Sequence, residues 1–243
     1  MTKKYYKSIV EKTTISHRTG ANIVVPAGFA DLSCSIIQSC TALQNLLQKI
    51  IYATHGAQLL AAKRTLKEFP NPKARIDFLC SFPYSEDDPT ALSAFNYARL
   101  LFRDVYELRN TLAHELWASS EDYSDTVIFS SLDEQARLQM ASGRIWHVET
   151  ATSKEVHGAI IRFIRSLKLV TTTDLLEALR DANLCSWILM QIEVILDEKD
   201  PKRKEDARQL ILQYRGTSHL FGDTQSADGI FNFNATKGKE IYR

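Results

Sequence analysis

The chain has 243 residues, of which 44% are hydrophobic and 24% charged, with a formal net charge of +1. That length suits one large domain, or a domain with a smaller appendage, and the composition supports a core that needs neither disulfide nor metal. The near-neutral balance does not fit a dedicated non-specific nucleic-acid binder, which neutralises phosphates with a large basic excess, so any nucleic-acid contact must be local.

Two short basic runs could supply such a contact: Lys3, Lys4 and Lys7 at the start, and Lys202, Arg203 and Lys204 near the end. Both read first as solvated charged faces. The four cysteines, Cys34, Cys40, Cys80 and Cys185, form no C-x-x-C pair and have no histidine at zinc-ligand spacing. They are expected to be free, mostly buried thiols in a reducing cytoplasm. No metal and no cofactor is expected. Met1 to Tyr6 carries charge without an apolar stretch behind it, and no apolar run reaches the roughly 18 residues of a membrane span. The sequence therefore predicts a cytoplasmic protein with no signal peptide and no membrane contact.

The first thirty residues read as an N-terminal arm in which Ile23-Val24-Val25-Pro26 is a short strand or extended. Asp31 is a candidate N-cap for the next element. From Ile36 to Tyr52, apolar residues recur at three- and four-residue spacing, which predicts a long amphipathic helix broken at Gly56. A second helix is expected over Ala57 to Phe69, stopped by Pro70 and Pro72. A short helical stretch follows over Lys73 to Leu79, and then a loop over Pro83 to Pro89.

Thr90 to Trp117 is the most regular helix. Leu101, Val105, Leu108, Leu112 and Leu116 form its core stripe, while Phe102, Tyr106, Asn110, Ala113, His114 and Trp117 share another face. A loop is expected over Ser119 to Asp125. The period then changes, and Val127-Ile128-Phe129, Ala136 to Met140 and Arg144 to Glu149 read as strands. Ser142-Gly143 is the candidate hairpin turn, with Trp146 and Val148 on one face. Helices are predicted over Ser153 to Leu169, over Asp174 to Leu196 as one or two pieces, and over Arg203 to Tyr214. From Arg215 the Gly-, Ser-, Thr- and Asn-rich chain reads as a tail. The expected fold is mainly α, a helical bundle with a small antiparallel β-meander. The domain reading is 1–30 arm, 31–200 helical domain with a β insertion at about 126–150, and 201–243 charged helix and tail.

Phosphate loops, nucleophile elbows, H-E-x-x-H and dinucleotide fingerprints are absent from the sequence. His17, His55, His147, His157 and His219 lack partner spacing and read as structural or surface residues. What remains is Arg109-Asn110-Thr111-Leu112-Ala113-His114. Asn110 and His114, four apart, stack on one helix face, and the long Arg109 side chain can reach it. An imidazole can act as acid or base near neutral pH, and a guanidinium is always charged and grips two phosphate oxygens. The bland alternative is that Arg109 pairs with Glu107, Asp104 or another acid and that His114 is a satisfied histidine under the following loop.

The Arg109-to-His114 run, near the end of a long helix that follows other long helices and the Lys73 to Leu79 segment, resembles the signature of the HEPN superfamily (higher eukaryotes and prokaryotes nucleotide-binding). The resemblance covers roughly residues 31–169. It implies a HEPN-like bundle and a metal-independent endoribonuclease, of the toxin or antiviral-defence kind. It also implies a composite active site in a homodimer, because one helix supplies one histidine, with Phe102, Tyr106 and Trp117 suited to the interface. His114 would be the general acid/base, Arg109 the phosphate clamp and Asn110 an orienting group. Expected partners are a second copy, an RNA substrate and an antitoxin or other regulatory protein. A non-catalytic HEPN-like module that dimerises or binds a partner or nucleotide is the second expectation, and a DNA-binding regulator a third that the neutral charge disfavours.

Overall fold

The computed structural model describes Tyr5 and residues 7–8, 18–19, 23–82, 88–121, 123–147, 153–197 and 199–214. Two short strands come first, β1 (Lys7–Ser8) and β2 (Arg18–Thr19). Helix α1 (Phe29–His55) is the long amphipathic helix, but it starts two residues before Asp31. Gly28, at φ +75°, takes the N-cap position, a left-handed conformation that glycine adopts without penalty. Asp31 instead lies in the first turn, where a carboxylate favours the helix dipole. Gly56, at φ +52°, ends the helix.

Helix α2 (Leu59–Glu68) and helix α3 (Pro72–Cys80) follow. Pro72 opens α3, because the missing N–H is not needed in a first turn, and the Asn71 side chain caps it by accepting from Ala74 N at 2.7 Å. The motif helix α4 (Pro89–His114) opens the same way, with Asp88 accepting from Ala91 N at 3.0 Å. It ends at His114 rather than at Trp117. The loop expected over Ser119 to Asp125 is largely taken up by β3 (Leu116–Ser120) and β4 (Tyr123–Ser130), which pair as an antiparallel hairpin.

The strands expected at Ala136–Met140 and from Arg144 onward, and the turn at Ser142-Gly143, are replaced by one helix, α5 (Leu132–His147). The segment Leu132-Asp-Glu-Gln-Ala-Arg-Leu-Gln-Met is built of helix formers, and Ser131 caps it by accepting from Glu134 N at 3.2 Å. Trp146 belongs to this helix, and Val148 and Glu149 lie outside the described residues. Helix α6 (Ser153–Ser166) stops short of Leu169, and β5 (Lys168–Thr171) returns to the sheet. Helix α7 (Thr172–Asp197) is a single helix, opened by a reciprocal capping box. Asp174 N donates to Thr171 Oγ1 at 3.1 Å and Thr171 N to Asp174 Oδ2 at 2.8 Å. Helix α8 (Pro201–Gln213) completes the described chain. Lys202 and Arg203 are exposed at its start, whereas the loop residues 83–87, the tail from Arg215, and Lys3 and Lys4 lie outside the described residues.

The fold is mainly helical around an antiparallel sheet of order β1-β5-β4-β3-β2. Helix α7 packs against α1, α4 and α8 and is the centre of the bundle. Strand alternation sorts the sheet into two faces. Trp117, Val127, Phe129 and Val170 join the main core with α1, α4 and α7. Ala118, Ile128 and Leu169, aligned across three strands, face a second core with Phe163, Ile164 and Leu167. The sheet is thus the middle layer between the bundle and α6, and it ties down the end of α4. No helix among the described residues is long and apolar enough to cross a membrane.

Candidate active site on the motif helix

Leu101, Val105, Leu108 and Leu112 are buried on α4, as their spacing demands. Leu116 is not part of that stripe, because it lies in β3 and is 39% exposed. The proposed aromatic face also divides. Phe102 is buried in the main core, and Trp117, now on a strand, packs edge-on to Phe29 at 5.6 Å and donates from Nε1 to Leu112 O. Tyr106 stays half-buried near the motif, and Trp117 is half-buried against the main core. The solvent side of α4 runs instead through Leu100, Arg103, Glu107, Asn110, Ala113 and His114.

The three motif side chains are brought together. Arg109 Nη1 donates to Asn110 Oδ1 at 3.1 Å and lies 3.2 Å from His114 Nε2. A guanidinium only donates, so Nε2 accepts and Nδ1 carries the ring proton. The guanidinium carbon stands 5.9 Å from the Tyr106 ring centroid, and Tyr106 stacks on Phe102 at 5.4 Å. Burial pushes the Cys40 thiol up to about 12 against the pull of the Arg109 charge, so it stays neutral. Cys185 is fully buried and pushed up by burial in the same way. Of the four free thiols only Cys34 is exposed.

Arg109 pairs with neither Glu107 nor Asp104. Among the described residues it makes no ion pair, and Asp104 lies 3.7 Å from Arg103 instead. A half-buried guanidinium held by an amide, an imidazole and an aromatic ring is short of an anion. The arrangement can grip a phosphate oxygen pair while presenting an imidazole beside it.

No family model, no curated protein and no solved structure matches the chain. The site is read from its own geometry.

The sequence reading missed one group of functional bearing. Directly after His114, Glu115 accepts from Lys168 Nζ, and the same ammonium lies 3.0 Å from Thr111 Oγ1. Lys168 sits on β5, 53 residues away, so no local spacing could reveal the pair. Of the other histidines, His55 is held by Thr65 at 2.9 Å and packs on Phe82, a structural role, and His157 is exposed. Among the described residues no three His, Cys, Asp or Glu side chains gather as a metal site.

Proposed function

We propose that the chain is a HEPN-type, metal-independent endoribonuclease that works as a homodimer, in a toxin or antiviral-defence setting where a regulatory partner restrains it. The observation that carries this reading is the half-buried Arg109 guanidinium, within hydrogen-bond reach of His114 and Asn110 and with no carboxylate partner among the described residues. Its chemistry suits a phosphodiester.

A bound phosphate is a stronger, charged acceptor than an imidazole nitrogen, and it draws the guanidinium off Nε2. That frees the lone pair on His114. One imidazole then takes the proton of the 2′-hydroxyl as its oxygen bonds to phosphorus. The bond from phosphorus to the 5′-oxygen breaks, and the leaving oxygen takes a proton from His114 of the second copy, which enters the step as the imidazolium and leaves it neutral. Arg109 offsets the extra charge on the phosphate, and Asn110 holds Arg109 in place. The outward position of Asn110, Ala113 and His114 on α4 leaves this surface open to a second copy.

Purified protein is expected to cut single-stranded RNA in the presence of chelator, leaving a 2′,3′-cyclic phosphate. Loss of cleavage on chelation, with return on adding magnesium, overturns the mechanism. One observation favours a second reading. The Nε2 lone pair is already occupied by Arg109. A bond that persists with RNA bound makes the protein a non-catalytic HEPN-like module that dimerises or holds a nucleotide.

A further inference from the structure

The motif helix is pinned at both ends by ion pairs to distant elements. At its start, the N-cap Asp88 accepts from Arg208 Nε of α8 at 2.7 Å. At its end, Glu115 accepts from Lys168 of β5. The two pins differ at the cation, since Arg208 keeps 32% of its side chain exposed. Both partners of the second are mostly buried, with side-chain exposures of 19% for Lys168 and 16% for Glu115. Among the described residues, Glu115 Oε2 is buried without a hydrogen-bond partner. A buried ion pair with an unsatisfied oxygen is a poor stabilising device, since desolvation offsets most of the attraction and apolar residues of like volume serve as well or better. Its position suggests what it does instead. Glu115 is the residue after His114. Its N–H closes the last helical bond to Thr111 O at 3.1 Å, and its backbone is already extended, at φ −94° and ψ 157°. The helix therefore ends at the carboxylate that β5 holds.

We propose that Lys168 and Glu115, with Thr111 as a third anchor, are positioning residues for the site: they fix the last turn of α4 so that the His114 ring keeps the single tautomer that Arg109 selects. This rests on the functional reading above, but its consequence is visible without any cleavage. Unconstrained imidazole favours the proton on Nε2, whereas the bond from Arg109 requires it on Nδ1. Loosening the last turn breaks the Arg109–His114 alignment and returns the ring to the mixture.

The test is the imidazole ¹⁵N spectrum of His114 in the full chain at mildly alkaline pH. The wild type is expected to show a protonated Nδ1 and a bare, accepting Nε2. The double variant Glu115→Gln/Lys168→Met removes both charges with little change of shape. It should melt no lower than wild type, yet show averaged tautomer shifts. Thr111→Val, a milder change that keeps the ion pair, should show the same drift to a smaller degree, and it carries the test should the double variant fail to fold. Arg208→Met loosens the other end of the helix, about 39 Å away at 1.5 Å per residue over 26 residues. It should lower the melting temperature and leave the ring unchanged. Where RNA is cut, the double variant should lose about a hundredfold in kcat with KM little changed, the signature of a misplaced reacting group. An unchanged His114 spectrum in the variants that fold overturns the proposal, and so does an equal change in Arg208→Met. A wild type that cuts no RNA but shows the tautomer effect overturns the ribonuclease reading and leaves the positioning role standing.

Discussion

Arg109 and His114 stand five residues apart on one helix, and the guanidinium of the first points an N–H at Nε2 of the second from 3.2 Å. Each holds the other ready, and neither has a carboxylate partner among the described residues. Arg109→Met should therefore change stability by less than about 1 kcal/mol, since a half-buried, uncompensated cation is lost together with its two neutral hydrogen bonds. Phosphate or RNA binding should fall at least tenfold. Arg109→Lys should keep part of it, because the charge survives while the two-pronged grip does not. Calorimetric titration with a short RNA, beside thermal melts, checks both. A large loss of stability in Arg109→Met would make the arginine structural.

The interface can be located by a single cysteine. Ala113 is exposed, small and one residue before His114. Where two motif helices face each other about a two-fold axis, Ala113→Cys should form an inter-subunit disulfide under mild oxidation, with Cys34→Ser removing the exposed native thiol that could interfere. Sedimentation should show a dimer for the wild type at micromolar concentration. A monomer, or a dimer that does not cross-link at this position, excludes the composite site.

The bundle was legible because helical periodicity survives in α1, α4 and α7, where one stripe of each helix is buried. The Arg109–Asn110–His114 grouping was legible for a related reason: its members lie within one and a half turns of a single helix. Strands were harder. Val127 to Phe129 is a run with both faces covered, so it lacks the alternation that fixes a strand's ends, and the hairpin of β3 and β4 passed as the end of a helix and a loop. Residues 132–147 failed differently. Their mixed apolar spacing mimics alternation, while Ser131 at the N-cap and Glu134 three residues on, in the first turn, carry the signature of a capped helix. Lys168 could not be found at all, since its meaning lies in a partner 53 residues away, with β3, β4, α5 and α6 between them.

Alkaline pH should weaken the fold at a nameable place. Tyr5 is buried and bonded to Asp181; burial first, then that hydrogen bond and the charges of Asp181, Asp104 and Glu177, raise its hydroxyl well above the ordinary tyrosine range. The folded chain thus keeps a proton that the unfolded chain releases above about pH 10. Stability is full below that pH and declines as pH rises, because the native state then binds more protons. Cys40, raised to about 12, and Cys80, raised to about 11, act in the same direction from about pH 8.5. Melting temperatures from about pH 8 to 11 should fall along this slope. Tyr5→Phe should lose about 1 kcal/mol at neutral pH and show a shallower decline above pH 10. Parallel curves would remove Tyr5 from the account.

Two neighbouring substitutions on α4 separate chemistry from packing. His114 is exposed, and its removal opens no cavity, so His114→Ala should shift stability by less than about 0.5 kcal/mol. Leu112, two residues earlier, is 4% exposed within the main core, and Leu112→Ala should lose about 2 to 5 kcal/mol through lost contact and the void left behind. Cleavage should respond in the opposite order. Losing an acid–base group removes about a hundredfold to ten-thousandfold of rate, whereas a destabilised but folded Leu112→Ala keeps the imidazole and most of the rate at low temperature. Rates and melts measured on the same preparations decide the matter. If His114→Ala cuts as fast as wild type, the imidazole is not the acid or base. If it unfolds, the histidine belongs to the scaffold, and the exposed ring beside Arg109 is no active site.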